Sequence, residues 1–367
     1  MRKGLQVIIH GGVHKTATKS LQHLLTKNRD SLARSGIFYP DSGTPHHGSI
    51  LNVRDLNARD PGWQPDRVAR TLREAVDAGA QTLFLTNEIV STLSQEQFIK
   101  LRLACGDNAD KFVFCFRHWN EYLPSRWATY SARRDSQKFE EYVALVSDPD
   151  LRHVDFYFNL VLDRAASAAS AGKCEVLATS YQISHKSEDG VVGAILRASG
   201  FPGELVDELA PQTEILNKRG DWELVEAARL LNGEIAHRRG FRQNDLSRAI
   251  ADYTSGQGTF DLPAKISALR PYLRDSLLET VKSYEKDRDV SAVDGTAAVH
   301  LTLRSDHGHR FVGCPEGDPF PDPSSSTLRF ADVRWDEFTA RHRRLVDLAV
   351  AEIEIAETEG SAVGASR

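Results

Sequence analysis

Residues 7–21 combine several of the side chains that proteins use to bind an oxyanion. An apolar run at residues 7–9 leads into two glycines, and the residues that follow include a lysine and three hydroxyl side chains: Lys15, Thr16, Thr18 and Ser20. Glycine lets the backbone pass close to a ligand, and the first turn of a helix offers unpaired N–H groups and a partial positive charge. We therefore predict a strand, an anion-binding turn and a helix, with the lysine and the hydroxyls as further donors.

This turn differs from the Walker A loop of nucleotide triphosphatases. That loop reads G-x-x-x-x-G-K-[ST], whereas only two residues separate Gly12 from Lys15 and the lysine follows His14. No later predicted strand ends in an aspartate of the type that holds Mg²⁺. The pattern favours an anion without a metal-bound triphosphate, and a plain strand–turn–helix start with a solvated lysine is the alternative.

A second set of anion-binding side chains follows another apolar run. Residues 111–116 predict a strand that is buried on both faces. Arg117 comes directly after it, and Ser125 follows eight residues later. A guanidinium binds phosphate through two parallel hydrogen bonds, and a hydroxyl can complete the shell.

These two segments resemble the sulfotransferase family. Residues 12–22 are similar to its 5′-phosphosulfate loop, which in bacterial members commonly reads G-x-x-K-T-G-T-T-S-L-Q, and Arg117 with Ser125 matches its R-x7-S pattern. The resemblance implies that 3′-phosphoadenosine 5′-phosphosulfate (PAPS) is the sulfuryl donor, that no metal is needed, and that Arg117 and Ser125 hold the 3′-phosphate. It places the 5′ side of the cofactor on Gly12, His14, Lys15, Thr16, Ala17, Thr18, Lys19 and Ser20. The chain departs from the pattern at Ala17, where glycine is usual, and at Lys19, where threonine is usual.

A basic turn before a predicted helix is a further candidate. Lys218 and Arg219 precede an amphipathic stretch at residues 222–235. Family members often carry a basic loop near this point, so the resemblance implies a contact with the 3′-phosphate. A basic turn that faces water is the alternative.

Sulfuryl transfer needs a base for the acceptor proton, and the sequence offers two candidates. Glu88 follows a predicted strand at residues 81–86, and His46 with His47 lies between the loop and that strand. Histidine has a pKa suited to neutral pH, whereas a glutamate needs partial burial to raise its pKa. We favour Glu88 because it stands at a strand end. Lys15 is expected to neutralise the charge that develops on the bridging oxygen.

The elements that must position these side chains alternate between strand and helix. Strands are predicted at residues 5–10, 81–86, 111–116 and 175–179, and helices at 20–32, 65–78, 95–104, 139–146 and 156–171. The alternation predicts an α/β fold, a three-layer α/β/α arrangement with a central parallel sheet like that of P-loop NTPases. We expect residues 1–240 to form the PAPS-binding core and residues 241–367 a helical, loop-rich extension packed on it. Within the extension, residues 297–328 predict a loop with a short hairpin, and residues 332–357 a helix.

Composition limits the partners. The chain has 367 residues, 41% of them hydrophobic, and a formal net charge of −5. That charge gives no general affinity for nucleic acid or anionic lipid, and no stretch approaches the ~20 apolar residues of a membrane span. The four cysteines form no C-x-x-C pair, and the first apolar run predicts a strand instead of a signal peptide. We expect a cytoplasmic protein; its oligomeric state cannot be read from the sequence.

The acceptor and two other functions stay open. The resemblance allows a hydroxyl or amine of a saccharide, a lipid or a small molecule. A P-loop-type nucleotide kinase would require magnesium and ATP, and a non-catalytic sulfotransferase-like protein would bind nucleotide without turnover. His300, His307, His309 and Cys314 fit no standard zinc spacing, and we expect no metal site there.

Overall fold

The computed structural model describes residues 4–41, 65–106, 109–133, 135–170, 173–215, 221–240, 262–290, 293–321 and 326–364. The chain divides into two compact units whose segments alternate along the sequence. The sheet unit comprises Met1–Trp119, Val146–Lys218 and Val293–Pro323. The helical unit comprises Asn120–Leu145, Arg219–Ala292 and Ser324–Arg367. The predicted division at residue 240 stays a prediction.

The sheet unit is built on five parallel strands in the order β2-β3-β1-β4-β5. The strands are β1 Gln6–His10, β2 Ile37–Phe38, β3 Thr82–Thr86, β4 Ala109–Phe116 and β5 Glu175–Ser180. Their apolar residues are buried on both faces, as expected for a parallel sheet that is covered twice. The α/β class and the central parallel sheet are therefore confirmed, and β2 was missed because two residues give no periodic signal.

Helices cover both faces of this sheet. On one face, Leu21 and Leu24 of the first helix and Ile195 of a later one pack with Ile8 and Phe84 of the strands. On the other face, Phe98 packs edge-on against Phe112 and Phe116 packs against Phe158. The helices of this unit are α1 Thr18–Lys27, α2 Arg29–Arg34, α3 Pro65–Asp77, α4 Gln95–Ala104, α7 Phe158–Ala169, α8 Tyr181–His185, α9 Gly190–Ala198, α10 Gly203–Leu209 and α14 Thr296–His307.

The helical unit has its own apolar core and a two-stranded antiparallel ribbon. Its helices are α11 Trp222–Arg238, α12 Leu262–Ser267, α13 Pro271–Lys282, α15 Trp335–Arg341 and α16 Arg343–Gly364, with most of α5 Trp119–Arg133 and α6 Phe139–Ser147. The ribbon pairs β6 Glu285–Asp289 with β7 Thr327–Ala331. No helix in the described part of the chain combines the length and apolar character that a membrane crossing requires.

Three sequence predictions of secondary structure were wrong in detail. The helix predicted at residues 20–32 is two helices, because Asn28 ends α1 with N–H bonds back to the carbonyls of Leu24 and Leu25. The helix predicted at 332–357 is likewise two, interrupted at His342. Residues 297–307, predicted as loop, belong to α14, whose buried Val299 and Leu303 are spaced by one helical turn. The glycines and prolines that favoured a loop lie after this helix.

Candidate functional site

The crevice beyond the carboxyl ends of β1 and β4 is where this topology favours a ligand. The chain leaves β1 toward β2 on one side of the sheet and leaves β4 toward β5 on the other. Ligands of open α/β sheets bind where the connections diverge in this way. Residues 11–17, here called the anion loop, follow β1, and Arg117 follows β4.

Both glycines of the anion loop are required by close packing. A Cβ on Gly11 would lie 2.7 Å from Cγ1 of Val90, and a Cβ on Gly12 would lie 2.6 Å from Oγ1 of Thr16. Real Cβ atoms essentially never make contacts this short, so any other residue would force the loop or these neighbours to shift.

The anion loop continues the pairing of β1 with β4. The N–H of Gly11 donates to the carbonyl of Val113 at 2.9 Å, and the N–H of Val13 donates to that of Cys115 at 3.1 Å. The buried Thr16 hydroxyl donates to the carbonyl of Val13 at 2.5 Å. These bonds fix the start and the centre of the loop. The hydroxyl of Thr16, which was predicted to donate to a phosphate, donates to the loop's own backbone.

Two residues of the loop adopt the left-handed conformation. Lys15 has φ 69° and Ala17 has φ 64°, a region that L-residues other than glycine, asparagine and aspartate seldom enter. Ala17 stands where the sulfotransferase loop commonly has glycine, and glycine adopts this left-handed conformation without strain. The side chains of His14, Lys15 and Lys19 are all partly buried.

Helix α1 presents its amino end at this loop. The first helical bond runs from the N–H of Leu21 to the carbonyl of Ala17, and no side chain caps the helix. The preceding amides therefore have no partner within the helix. Thr18, the first residue of α1, is buried, and its Oγ1 has no hydrogen-bond partner among the described residues. Ser20 is buried in the same turn.

The structure brings Arg117 to the anion loop. Its Nη1 donates to the carbonyl oxygen of Lys15 at 3.3 Å, 102 residues away in sequence. The guanidinium also lies 4.5 Å from the centre of the Tyr181 ring, which stacks on His185. A cation–π contact of this kind attracts the guanidinium to the face of the ring. Ser125 lies in α5 within the helical unit, where its carbonyl accepts a bond from the Thr129 hydroxyl.

Glu88 follows β3, the strand on the other side of β1. The N–H of Asn87 donates to the carbonyl of His10 at 3.0 Å, and the Asn87 side chain accepts from the N–H of Ile89. Asn87, not Glu88, therefore caps the short 3₁₀ helix Glu88–Thr92. Glu88 is partly buried, and within the described ranges its carboxylate has no hydrogen-bond or ion-pair partner.

Sequence reasoning missed a buried polar cluster beside the loop. Nδ1 of His10 lies 2.8 Å from Oγ1 of Thr86, and Nε2 of Gln22 donates to the carbonyl of Thr86 at 3.4 Å. His10 is fully buried, and this burial lowers its pKa to about 3 because the interior disfavours imidazolium. The available signal was a histidine and a threonine at the carboxyl ends of two largely apolar strands.

Four predicted residues lie outside the described residues. These are the candidate bases His46 and His47 and the basic pair Lys218 and Arg219. Of the histidines considered for a metal site, His300 pairs with Asp318 and His307 with Asp163. In the part of the chain that is described, no group of three or more His, Cys, Asp and Glu side chains could hold a metal ion.

The chain matches no protein-family model, and comparison with curated proteins gives no match.

Proposed function

We propose that the chain is a sulfotransferase that moves a sulfuryl group from PAPS to a hydroxyl or amine of its acceptor. The observation that carries the proposal is the contact of Arg117 with the anion loop. This contact joins two motifs that lie about a hundred residues apart in sequence. One resembles the loop that holds the 5′ side of PAPS in sulfotransferases, and the other resembles the pattern that holds its 3′-phosphate.

The residues present fit such an anion. The anion loop supplies a tightly packed glycine-bearing backbone, a lysine, and the uncapped amino end of helix α1. Thr18 adds a buried hydroxyl oxygen that has no partner among the described residues. The net charge of −5 gives no general attraction for anions, so affinity has to come from these local donors.

PAPS, when bound, supplies the sulfuryl group, and the chain contributes positioning and charge. The S–O bond to the 5′-phosphate breaks as the acceptor oxygen or nitrogen bonds to sulfur, and adenosine 3′,5′-bisphosphate leaves. Lys15 stabilises the negative charge that grows on the bridging oxygen. Glu88 accepts the acceptor's proton, since its carboxylate has no partner among the described residues. Thr18 and the loop amides hold the 5′-phosphate, and Arg117 holds the 3′-phosphate.

The proposal is tested by calorimetric titration of the full chain with adenosine 3′,5′-bisphosphate and, separately, with ATP and magnesium. We expect micromolar binding of the bisphosphate and much weaker binding of ATP. Tight binding of magnesium-ATP without the bisphosphate would favour a nucleotide kinase instead. Bisphosphate binding without transfer of ³⁵S from labelled PAPS to any of a panel of saccharide, phenol and amine acceptors would favour a non-catalytic nucleotide-binding protein.

A further inference from the structure

His10 joins the end of β1 to the end of β3 directly beneath the anion loop. Its ring and Thr86 are both fully buried, and Nδ1 lies 2.8 Å from the Thr86 hydroxyl oxygen. Nδ1 is therefore taken up by a hydrogen bond between the two strands.

The other nitrogen faces the loop. Nε2 of His10 lies 3.1 Å from the point where a Cβ on Gly12 would stand, on the same side of that glycine as Oγ1 of Thr16. It has no hydrogen-bond partner among the residues described here. Thr18 Oγ1, at the other end of the loop, is likewise buried and unpartnered within them. Unpartnered buried atoms occur elsewhere too, for example Ser131 Oγ, but these two flank the anion loop, and Thr18 begins the uncapped amino end of α1.

A neutral ring can present a donor at this position. Burial keeps the imidazole neutral, and a neutral imidazole carries its proton on one nitrogen only. When the Thr86 hydroxyl donates to Nδ1, the proton stays on Nε2. A buried N–H beside an anion-binding loop requires an acceptor, and an oxyanion held by the loop provides one.

We propose that His10 is a ligand-binding residue of the anion loop, whose Nε2–H donates to an oxygen of the 5′-phosphate group. This inference rests on the proposed function in that it assumes a nucleotide phosphate in the loop. A neutral donor adds a directed hydrogen bond without a further charge. A site with this histidine therefore differs from one in which only a lysine and helix amides bind the phosphate.

Two substitutions separate a ligand contact from a structural tie. The amide nitrogen of glutamine can stand near the position of Nε2, so His10→Gln keeps the donor toward the loop and loses the bond to Thr86. The shorter amide of asparagine stands near Nδ1, so His10→Asn keeps the tie and loses the donor. We expect His10→Gln to bind adenosine 3′,5′-bisphosphate within about threefold of wild type, and His10→Asn to bind it about tenfold more weakly or worse. Equal affinities, or the reverse order, would overturn the inference.

A measurement on the unaltered chain covers the case in which a variant does not fold. In the full chain labelled with ¹⁵N-histidine, we expect the His10 signals to report the Nε2–H form, and the Nε2 resonance to shift when the bisphosphate saturates the site. An Nδ1–H form, or an Nε2 resonance that does not respond to bound bisphosphate, would overturn the assignment of His10 alone. Failure of the wild-type chain to bind the bisphosphate would overturn the proposed function and this inference together.

Discussion

Ala17 shows how one residue can store strain where a ligand is expected to bind. Its φ of 64° places a Cβ in the left-handed region, which costs an L-residue about 1–2 kcal/mol. Glycine would remove that strain but lose more entropy on folding, by about 0.4–1 kcal/mol. The strain energy exceeds the entropy difference, so alanine at this position makes the folded chain less stable than glycine would.

Ala17→Gly is therefore predicted to stabilise the chain by about 0.5–1 kcal/mol in urea unfolding. Ala33→Gly is the matched control, since Ala33 is exposed within the regular helix α2. There glycine should destabilise the protein by about 0.5–1 kcal/mol. If both variants lose stability equally, the left-handed geometry at residue 17 is wrong.

Glu88→Gln is predicted to separate catalysis from binding. The substitution keeps the shape of the side chain and removes its capacity to accept a proton. We expect sulfuryl transfer to fall by about 10²–10⁴-fold, with the affinity for adenosine 3′,5′-bisphosphate unchanged. Glu96→Gln, which alters an exposed pair with Lys100, should leave both properties as they are. Full transfer activity in Glu88→Gln would move the role of base to another group, with His46 and His47 as the remaining sequence candidates.

Among the elements, the anion loop depends most directly on the absence of a side chain. A methyl group on Gly12 would overlap Thr16 Oγ1 and crowd the His10 ring. Gly12→Ala is predicted to weaken bisphosphate binding at least tenfold and to lower the thermal midpoint. Gly203→Ala serves as the control, because a Cβ there meets its nearest atom at 3.8 Å, an ordinary van der Waals contact, at the start of a helix. Normal binding by Gly12→Ala would mean that the loop is not packed as described.

Helix α11 carries a buried arginine that bonds to several other segments of the helical unit. Arg229, which is almost fully buried, donates to the carbonyls of Ser136, Ala331 and Val333 and pairs with the buried Glu226. Arg229→Met would leave three carbonyls and a carboxylate without that partner, and we expect a loss of about 3–5 kcal/mol in the free energy of unfolding.

Two further variants test this explanation of the Arg229 effect. Glu226→Gln combined with Arg229→Met should recover part of the loss, because the carboxylate that paired with Arg229 is also removed. Arg274→Met, at a surface pair with Asp275, should change stability little. An additive effect of the two buried substitutions would contradict the assigned pairing.

The long strands were predictable from sequence because each is a short run of apolar residues. Residues 111–116 are almost entirely apolar, and β4 extends that prediction by only two residues at its start. The breaks at Asn28 and His342 were not predictable, since no proline or glycine marks either position. In the candidate site, Lys15 and Arg117 were proposed from local motifs, and the structure places the Arg117 guanidinium against the carbonyl of Lys15. The cluster of His10, Gln22 and Thr86 was missed because its members are distant in sequence and meet only when β1 and β3 pair.

For the whole molecule, buried neutral histidine makes stability depend on pH. The pKa of His10 is lowered to about 3 in the folded chain, against about 6.5 when unfolded. Between these values the unfolded state binds the extra proton, so stability is lost as the pH falls. His307 contributes in the same direction because burial lowers its pKa too, whereas the raised pKa values of Asp135 and Glu226 act in the opposite direction.

The comparison with His10→Gln isolates the histidine from these other groups. Between pH 7 and pH 5, wild type should lose about 2 kcal/mol more unfolding free energy than the variant. The measurement is urea unfolding at both pH values. Parallel pH profiles for the two proteins would mean that His10 is not kept neutral by the fold.

The cofactor assignment is tested most directly by measuring how strongly Arg117 and the 3′-phosphate depend on each other. Dissociation constants for adenosine 3′,5′-bisphosphate and for adenosine 5′-monophosphate would be determined by calorimetry on wild type, on Arg117→Ala and on Arg197→Ala. Arg197→Ala is the control, because Arg197 is a surface arginine that pairs with Asp189 and Asp207. We predict that wild type and Arg197→Ala prefer the bisphosphate by about tenfold or more, and that Arg117→Ala loses this preference while it still binds the monophosphate. An undiminished preference in Arg117→Ala, or no binding of either nucleotide by wild type, would contradict the account.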